Sequence, residues 1–267
     1  MNPVRVFAKP YRRCQIKRVV SFLIAICYGM NKNSNGVNSR RQQILFSVID
    51  EHIENSMPVG SNLICEKYNI FASPATIRME MAWLTKNGYL TQLYTSGGRI
   101  PTAKAYRLFV DSIDCEKEQK IKLPQVFNDF MSFPRECLKY IAEYSNSLVI
   151  NFIDDNLLNV GLDVLLEEPE FHNNLESLQN LVNKLENLYD YTEKIVDSVP
   201  ESGIVVYIDK ENPLLLEKCS MIISSYNVSP KKQGVIALLG PTRMRYDRNM
   251  ALINELVKIL SYNNEPR

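Results

Sequence analysis

The sequence predicts an α+β chain, and three observations carry that expectation. Apolar residues recur at helical spacing through residues 39–55 and again through 73–88. Residues 89–94 alternate as a strand does and run into the glycine-centred turn Thr95-Ser96-Gly97-Gly98-Arg99. Toward the C-terminus, Ile204–Ile208, residues 220–224 and residues 234–239 read as three strands, and an amphipathic helix over 250–260 closes the chain. With 267 residues, 45% of them hydrophobic, the chain is long enough to bury real cores in one or two domains.

Residues 1–37 stand apart as a basic and apolar N-terminal extension. Arg12, Arg13, Lys17 and Arg18 precede an apolar run over 19–30, an arrangement that imitates a secretory signal but lacks a small-x-small cleavage site. The run is shorter than the roughly 20 residues a membrane span needs. We read this segment as an appendage from an upstream start, with Met30 as the working initiator and no membrane partner.

Residues 38–113 read as a winged helix-turn-helix domain. Ser39 with Gln42 reads as a capping box, and Ile44, Leu45, Val48, Ile49 and Ile53 line one face of a first helix ending near Asn55. Pro58, Val59 and Gly60 make a turn, Ser61 is the expected cap of a second helix carrying Leu63, Ile64 and Tyr68 inward, and Asn69 ends it. Ser73 and Pro74 give an N-cap followed by proline at the first helical position, and Ile77, Met81 and Leu84 form the buried stripe of a third helix that stops at Gly88. The strand and glycine turn that follow make a wing.

A helix-turn-helix lays its second helix in the major groove with the N-terminal residues toward the bases. Here that end offers Ser73, Ala75, Thr76, Arg78 and Met79. The wing offers Arg99 at its tip, the amides of Ser96, Gly97 and Gly98 for close approach to a phosphate backbone, and Lys104 and Arg107 behind. Trp83 is expected to pack in the core or against a subunit, and Arg40 and Arg41 to touch phosphate or stand in solvent. The same three-helix pattern also serves protein docking, and that reading stays open beside DNA binding.

Charge is unevenly spread. Residues 1–110 hold 15 basic and 5 acidic side chains, and 111–267 hold 16 and 25, so a polyanion should meet the N-terminal part. The extension supplies seven of those basic residues, which leaves the DNA expectation resting on placed side chains such as Arg78 and Arg99 rather than on bulk charge. The six cysteines are scattered without a C-x-x-C pair and there are two histidines, so no metal site, disulfide framework or nucleophile-base pair is indicated, and we expect no cofactor and no catalysis. His52 is expected to be packed or half exposed on the first helix, and His172 to lie on a surface loop. Reduced thiols fit a cytoplasmic protein.

Residues 114–124 read as a charged linker ending at Pro124, and 125–262 as a second domain. Residues 126–144 keep helical spacing through Phe127, Phe130, Leu138, Ile141 and Ala142, interrupted at Pro134, and Leu148–Ile153 suits a buried strand. Residues 175–196 read as one amphipathic helix with Leu178, Leu181, Val182, Leu185, Leu188 and Ile195 on a face destined for core or subunit contact. Gly240-Pro241-Thr242-Arg243 reads as a tight turn before the last helix. The clustered Arg243, Arg245 and Arg248 read as a partner surface or as solvated charge.

Several blocks at fixed spacing then resemble one family. Pro58-Val59-Gly60-Ser61, Ser73-Pro74-Ala75-Thr76-Ile77-Arg78, Gly88-Tyr89-Leu90, Thr95-Ser96-Gly97-Gly98-Arg99-Ile100-Pro101-Thr102 and Tyr106-Arg107-Leu108-Phe109-Val110-Asp111 are similar to the N-terminal domain of the HrcA heat-inducible transcription repressors. Val160-Gly161, Leu165-Leu166-Glu167-Glu168-Pro169-Glu170-Phe171 and Gly234-Val235-Ile236-Ala237-Leu238-Leu239-Gly240-Pro241-Thr242-Arg243-Met244 resemble that family's later segments. The resemblance implies a dimeric repressor of chaperone operons that binds an inverted-repeat operator in double-stranded DNA, with a GAF-like α+β domain behind the winged helix and a GroE-type chaperonin as activity partner. The chain departs from the family in four ways. The segment before Val160 is too short for the family's dimerising insertion, so the GAF-like domain is expected in reduced form. Met79 stands where a polar residue is usual and Gly97 where alanine is common. Arg245 stands where an acidic residue is usual. A winged-helix regulator of a different operon remains the nearest alternative.

Overall fold

The computed structural model describes residues 37–94, 97–113, 121–132, 134–153, 156–172, 175–199, 203–229 and 232–262. The basic extension, most of the charged linker and the turn residues Thr95 and Ser96 therefore lie outside the described residues.

Three helices open the fold: α1 (Ser39–Asn55), α2 (Ser61–Lys67) and α3 (Pro74–Lys86). The cap of α1 is Asn38 rather than Ser39, because the Asn38 side chain accepts the Arg41 N–H at 2.9 Å. Gly60, not Ser61, occupies the cap position of α2, and Ser61 is buried as the first helical residue. Leu63 faces solvent, while Ile64 and Tyr68 are buried. Glu51 ties the end of α2 to α1. It is a buried carboxylate that accepts the Tyr68 hydroxyl at 2.9 Å and the Asn55 amide at 3.0 Å, and it pairs with Lys67. A buried charge is tolerated only when so partnered.

Gly88, at φ 76, turns the chain out of α3 into β1 (Leu90–Gln92), which pairs antiparallel with β2 (Arg99–Pro101). The expected longer strand through Tyr94 is thus cut to three residues. Val59 adds a further bridge, exchanging both backbone hydrogen bonds with Arg99 at 2.9 Å. Helix α4 (Ala103–Val110), capped by Thr102, completes this unit.

The remainder is built on one antiparallel sheet. Its strands are β3 (Leu148–Ile153), β4 (Asn156–Val160), β5 (Ile204–Ile208), β6 (Cys219–Ser229) and β7 (Lys232–Pro241), in the spatial order β4-β3-β7-β6-β5. Side chains alternate between faces, so Val149, Val206, Ile222, Ile236 and Leu238 enter one core, and Leu148, Ile150, Met221, Ile223, Ala237 and Leu239 enter the other. Burial on both faces is why residues 235–239 read as a continuous apolar run. Helices α5 (Pro134–Ser145) and α10 (Tyr246–Tyr262) cover the first face together with the N-terminal unit. The second face is covered by α6 (Leu162–Leu166), α7 (Pro169–His172), α8 (Leu175–Glu186) and α9 (Thr192–Asp197).

Two expectations are corrected here. The single helix over 175–196 is α8, a 3₁₀ turn at Leu188–Tyr191 and α9, with Leu181, Leu188 and Ile195 buried at the same seven-residue interval across the break. The backbone of His172 closes the short α7 rather than a loop.

Candidate nucleic-acid interface

The geometry of α3 begins with its cap. The Ser73 hydroxyl accepts the Thr76 N–H at 3.2 Å and lies 3.0 Å from the Thr76 hydroxyl, and Pro74 sits in the first turn where no amide proton is needed. Ile77, Met81 and Leu84 are fully buried, which fixes the rotation of the helix. The opposite face is uncovered: Ala75, Arg78, Met79, Ala82 and Lys86 are exposed, Met79 at 74%. Phe71, in the turn between α2 and α3, is exposed in full.

Arg99 lies beside this face, at the loop-proximal end of the ribbon rather than at its tip. Its Nε donates to the Thr85 hydroxyl on α3 at 3.0 Å. Partial burial and the nearby Arg78 guanidinium both lower the Arg99 pKa from its ordinary value, which marks two cations held close together. Gly97 donates its N–H to the Tyr94 carbonyl at 2.9 Å, and Gln92 closes the turn on the Gly97 carbonyl at 3.2 Å. A Cβ on Gly98 would stand 2.6 to 2.8 Å from the backbone of Pro58 and Val59, so its missing side chain admits the protein's own chain.

Ala75, Thr76, Arg78 and Met79 therefore come together with Arg99. Lys104 and Arg107 do not join them. Lys104 Nζ donates to the Asn87 carbonyl at 3.0 Å, at the far end of α3, and sits over the Tyr89 ring. Arg107 faces the sheet, donating to the Val206 carbonyl at 2.7 Å and pairing with Glu211. Ser96 falls outside the described residues. Arg41 is held by Glu80 at 2.7 Å and lies 3.9 Å over the Trp83 ring, while Arg40 is exposed. Lys86 went unnoticed in the sequence, although its spacing from Ala75, Arg78 and Ala82 puts it on the same stripe.

Of the three C-terminal arginines, Arg243 is buried and Arg248 half-buried, while Arg245 stays exposed at the surface. Arg243 donates to Glu170 at 2.6 and 3.0 Å and to the Ile53 carbonyl at 3.3 Å, and pairs with Glu168. Arg245 pairs with Glu54 at 2.9 Å, and Arg248 donates to the Tyr144 carbonyl. Two of them thus clamp the end of α1.

Among the described residues no group of three or more histidine, cysteine, aspartate or glutamate side chains could hold a metal, and no helix is long and apolar enough to cross a membrane.

The α+β architecture recurs in a crystal structure titled as a hypothetical protein at 2.2 Å resolution, with a TM-score of 0.68 at 20% identity over 85% of this chain and 97% of that one. The family follows from the sequence match. The model described as "HrcA protein C terminal domain" matches residues 114–250, more than half of the chain, and the chain belongs to the HrcA family. It is 28% identical to the "Heat-inducible transcription repressor HrcA" of Natranaerobius thermophilus over 84% of this chain and 96% of that protein. It is 26% identical to the protein of the same name from Lysinibacillus sphaericus over 82% and 95%. These alignments run over 335 and 333 positions, more than the 267 residues of this chain can fill, so part of each relative stands opposite a gap.

Proposed function

We propose that this chain is a DNA-binding transcription repressor of heat-shock genes. The observation that carries the reading is the uncovered face of α3, with Arg78 and Arg99 beside it, in a chain of the HrcA family. Residues 38–113 are then the winged helix-turn-helix, 114–124 a linker and 125–262 a reduced GAF-like domain. Helix α3 enters the major groove through Ala75, Thr76, Arg78 and Met79, and Arg99 meets the backbone beside it. Ser73 serves chiefly by capping α3. An inverted-repeat operator is matched by a homodimer, so that two copies of α3 meet two half-sites. A GroE-type chaperonin is the partner that sets the repressor's activity, and the cytoplasm is where it acts. The molecule binds and releases DNA, with no catalysis.

The test is fluorescence anisotropy against inverted-repeat duplexes from chaperone promoters. Tight binding that weakens steeply between 50 and 200 mM salt, by roughly 10³-fold for several phosphate contacts, supports it. Arg99→Ala is expected to lower affinity on all sequences alike. Binding no tighter than to random duplex, with little salt dependence, overturns the reading in favour of a protein-docking module.

A further inference from the structure

The uncovered face of α3 is chemically unusual for a DNA reader. Hydrogen-bond readout of adenine uses asparagine or glutamine, and readout of cytosine uses a carboxylate. This face offers neither. Its one carboxylate, Glu80, is held by Arg41, and the Ser73 and Thr76 hydroxyls lie against each other at the cap. What projects is the Ala75 methyl, the long thioether of Met79 and the Arg78 guanidinium, which has no ion-pair partner among the described residues. Ala75 and Met79 are four residues apart and so stand one above the other, with Arg78 adjacent. The surrounding charge, Arg78 and Arg99 without a free carboxylate on the face, suits phosphate-bearing duplex and would repel a basic protein partner.

On that DNA-binding reading, we infer that Met79, with Ala75, selects thymine through its C5 methyl group, next to a guanine taken by Arg78. The thymine methyl is the apolar feature of the major-groove edge, and burying it between two apolar side chains discriminates T·A from C·G without a hydrogen bond. Met79 fits the role because an unbranched thioether moulds to an apolar contact, and because 74% of it is left in water by the protein itself. Its partner is thus the methyl-bearing strand of an A·T pair.

The experiment starts from a randomised 30-base-pair duplex pool enriched by repeated binding to the full chain. The enriched duplex is then resynthesised with single thymines replaced by deoxyuridine, which removes the methyl and nothing else. Wild-type protein is expected to lose affinity roughly three- to tenfold at one thymine in each half-site and to be indifferent at the rest. Met79→Ala should erase or sharply reduce that sensitivity, because the methyl is held between Met79 and Ala75. Met79→Gln, equally exposed and expected to fold, should lose it too while retaining binding through Arg78. An enriched sequence with no deoxyuridine-sensitive position, or full sensitivity retained in Met79→Ala, overturns methyl readout while leaving the repressor reading intact. Failure of the pool to enrich any sequence overturns the DNA-binding reading itself.

Discussion

Arg243 shows how one side chain decides the arrangement of its surroundings. Three of its groups donate to Glu168, Glu170 and the Ile53 carbonyl, and its guanidinium is almost removed from water. Such a cation is acceptable only with its partners, and deleting it strands two carboxylates. Arg243→Met is expected to cost about 3 kcal/mol in urea unfolding, read as a lower midpoint at unchanged slope. Two neighbours make stability depend on pH with opposite signs. Burial, then the Arg243 charge, pushes the His52 pKa down from 6.5 to about 4, so the unfolded chain binds its proton first and His52 loses stability for the fold as pH falls from 6.5 to 4. Burial, then Asp247, pushes the Asp50 carboxyl up from 3.8 to about 7, so the folded chain binds the extra proton and stability is lost as pH rises through that window. Asp50→Asn should therefore stabilise by roughly 1 to 2 kcal/mol at pH 8, with the gain shrinking as pH falls below 7. A gain of equal size at pH 4.5 and pH 8 would count against a half-buried Asp50 that takes up a proton in the fold. His52 was legible in sequence as a packed or half-exposed imidazole; it is half-buried, with its Nδ1 2.7 Å from the Tyr106 hydroxyl. The arginines were not, because their partners are 73 to 191 residues away along the chain.

At the scale of elements, what was legible is what local chemistry dictates. The Ser73-Pro74 start of α3 and its stripe of Ile77, Met81 and Leu84 stand as read, since a cap and a 3.6-residue period need no distant partner. Ser73→Ala is expected to cost about 1 kcal/mol by freeing the Thr76 amide, checked by thermal or urea unfolding. The cap of α1 shifted by one residue because several polar residues in a row offer equivalent starts, and only the Asn38 side chain is placed to accept the Arg41 N–H, whereas α2 starts from the extended backbone of Gly60 without a side-chain cap. The break in residues 175–196 was hidden because Leu181, Leu188 and Ile195 keep an interval compatible with one helix while Asn187 leaves helical dihedrals at φ −103 and ψ 28. Strand β4 escaped notice as an edge strand with asparagine at positions 156 and 159. The two glycines of the ribbon separate cleanly. A methyl at Gly97 would stand 3.3 Å from the Tyr94 carbonyl oxygen, whereas one at Gly98 would collide with the backbone of Pro58 and Val59. Gly97→Ala should be within about 0.5 kcal/mol of wild type, and Gly98→Ala should lose about 2 kcal/mol and the pairing of Val59 with Arg99, visible as faster amide exchange there. Equal effects at the two sites would show that the ribbon is not seated on residues 58 and 59.

For the whole molecule, the division into a basic front and an acidic remainder is a poor guide to how the parts meet. The contact runs in both senses: against the bulk charge, the carboxylate of Glu54 and the Ile53 carbonyl of α1 are taken by Arg245 and Arg243 of the sheet unit, whereas Arg107 of α4 goes with it, taken by Glu211 and by the Val206 carbonyl of β5. Between these polar ties Tyr106 packs on Tyr246, with ring centroids 6.0 Å apart, and the buried residues of α1 to α4 belong to the same core as α10 and one face of the sheet. Bulk charge remains informative about a polyanion approaching from outside, because a phosphate backbone senses the summed field, whereas the internal contact is decided by a few pairs at hydrogen-bond distance. A shared core implies that the two units unfold together. The chain has one tryptophan, Trp83 on α3, so its fluorescence reports the N-terminal unit alone, and far-ultraviolet circular dichroism reports all helices and strands. In wild type the two urea transitions are expected to coincide. Combining Arg107→Ala, Arg243→Met and Arg245→Ala removes the polar ties on both sides of the tyrosine pair, and the transitions should then separate. If the triple variant still unfolds with coincident midpoints, the apolar contact around Tyr106 and Tyr246 is sufficient by itself, and the arginines set only the angle at which α3 is presented.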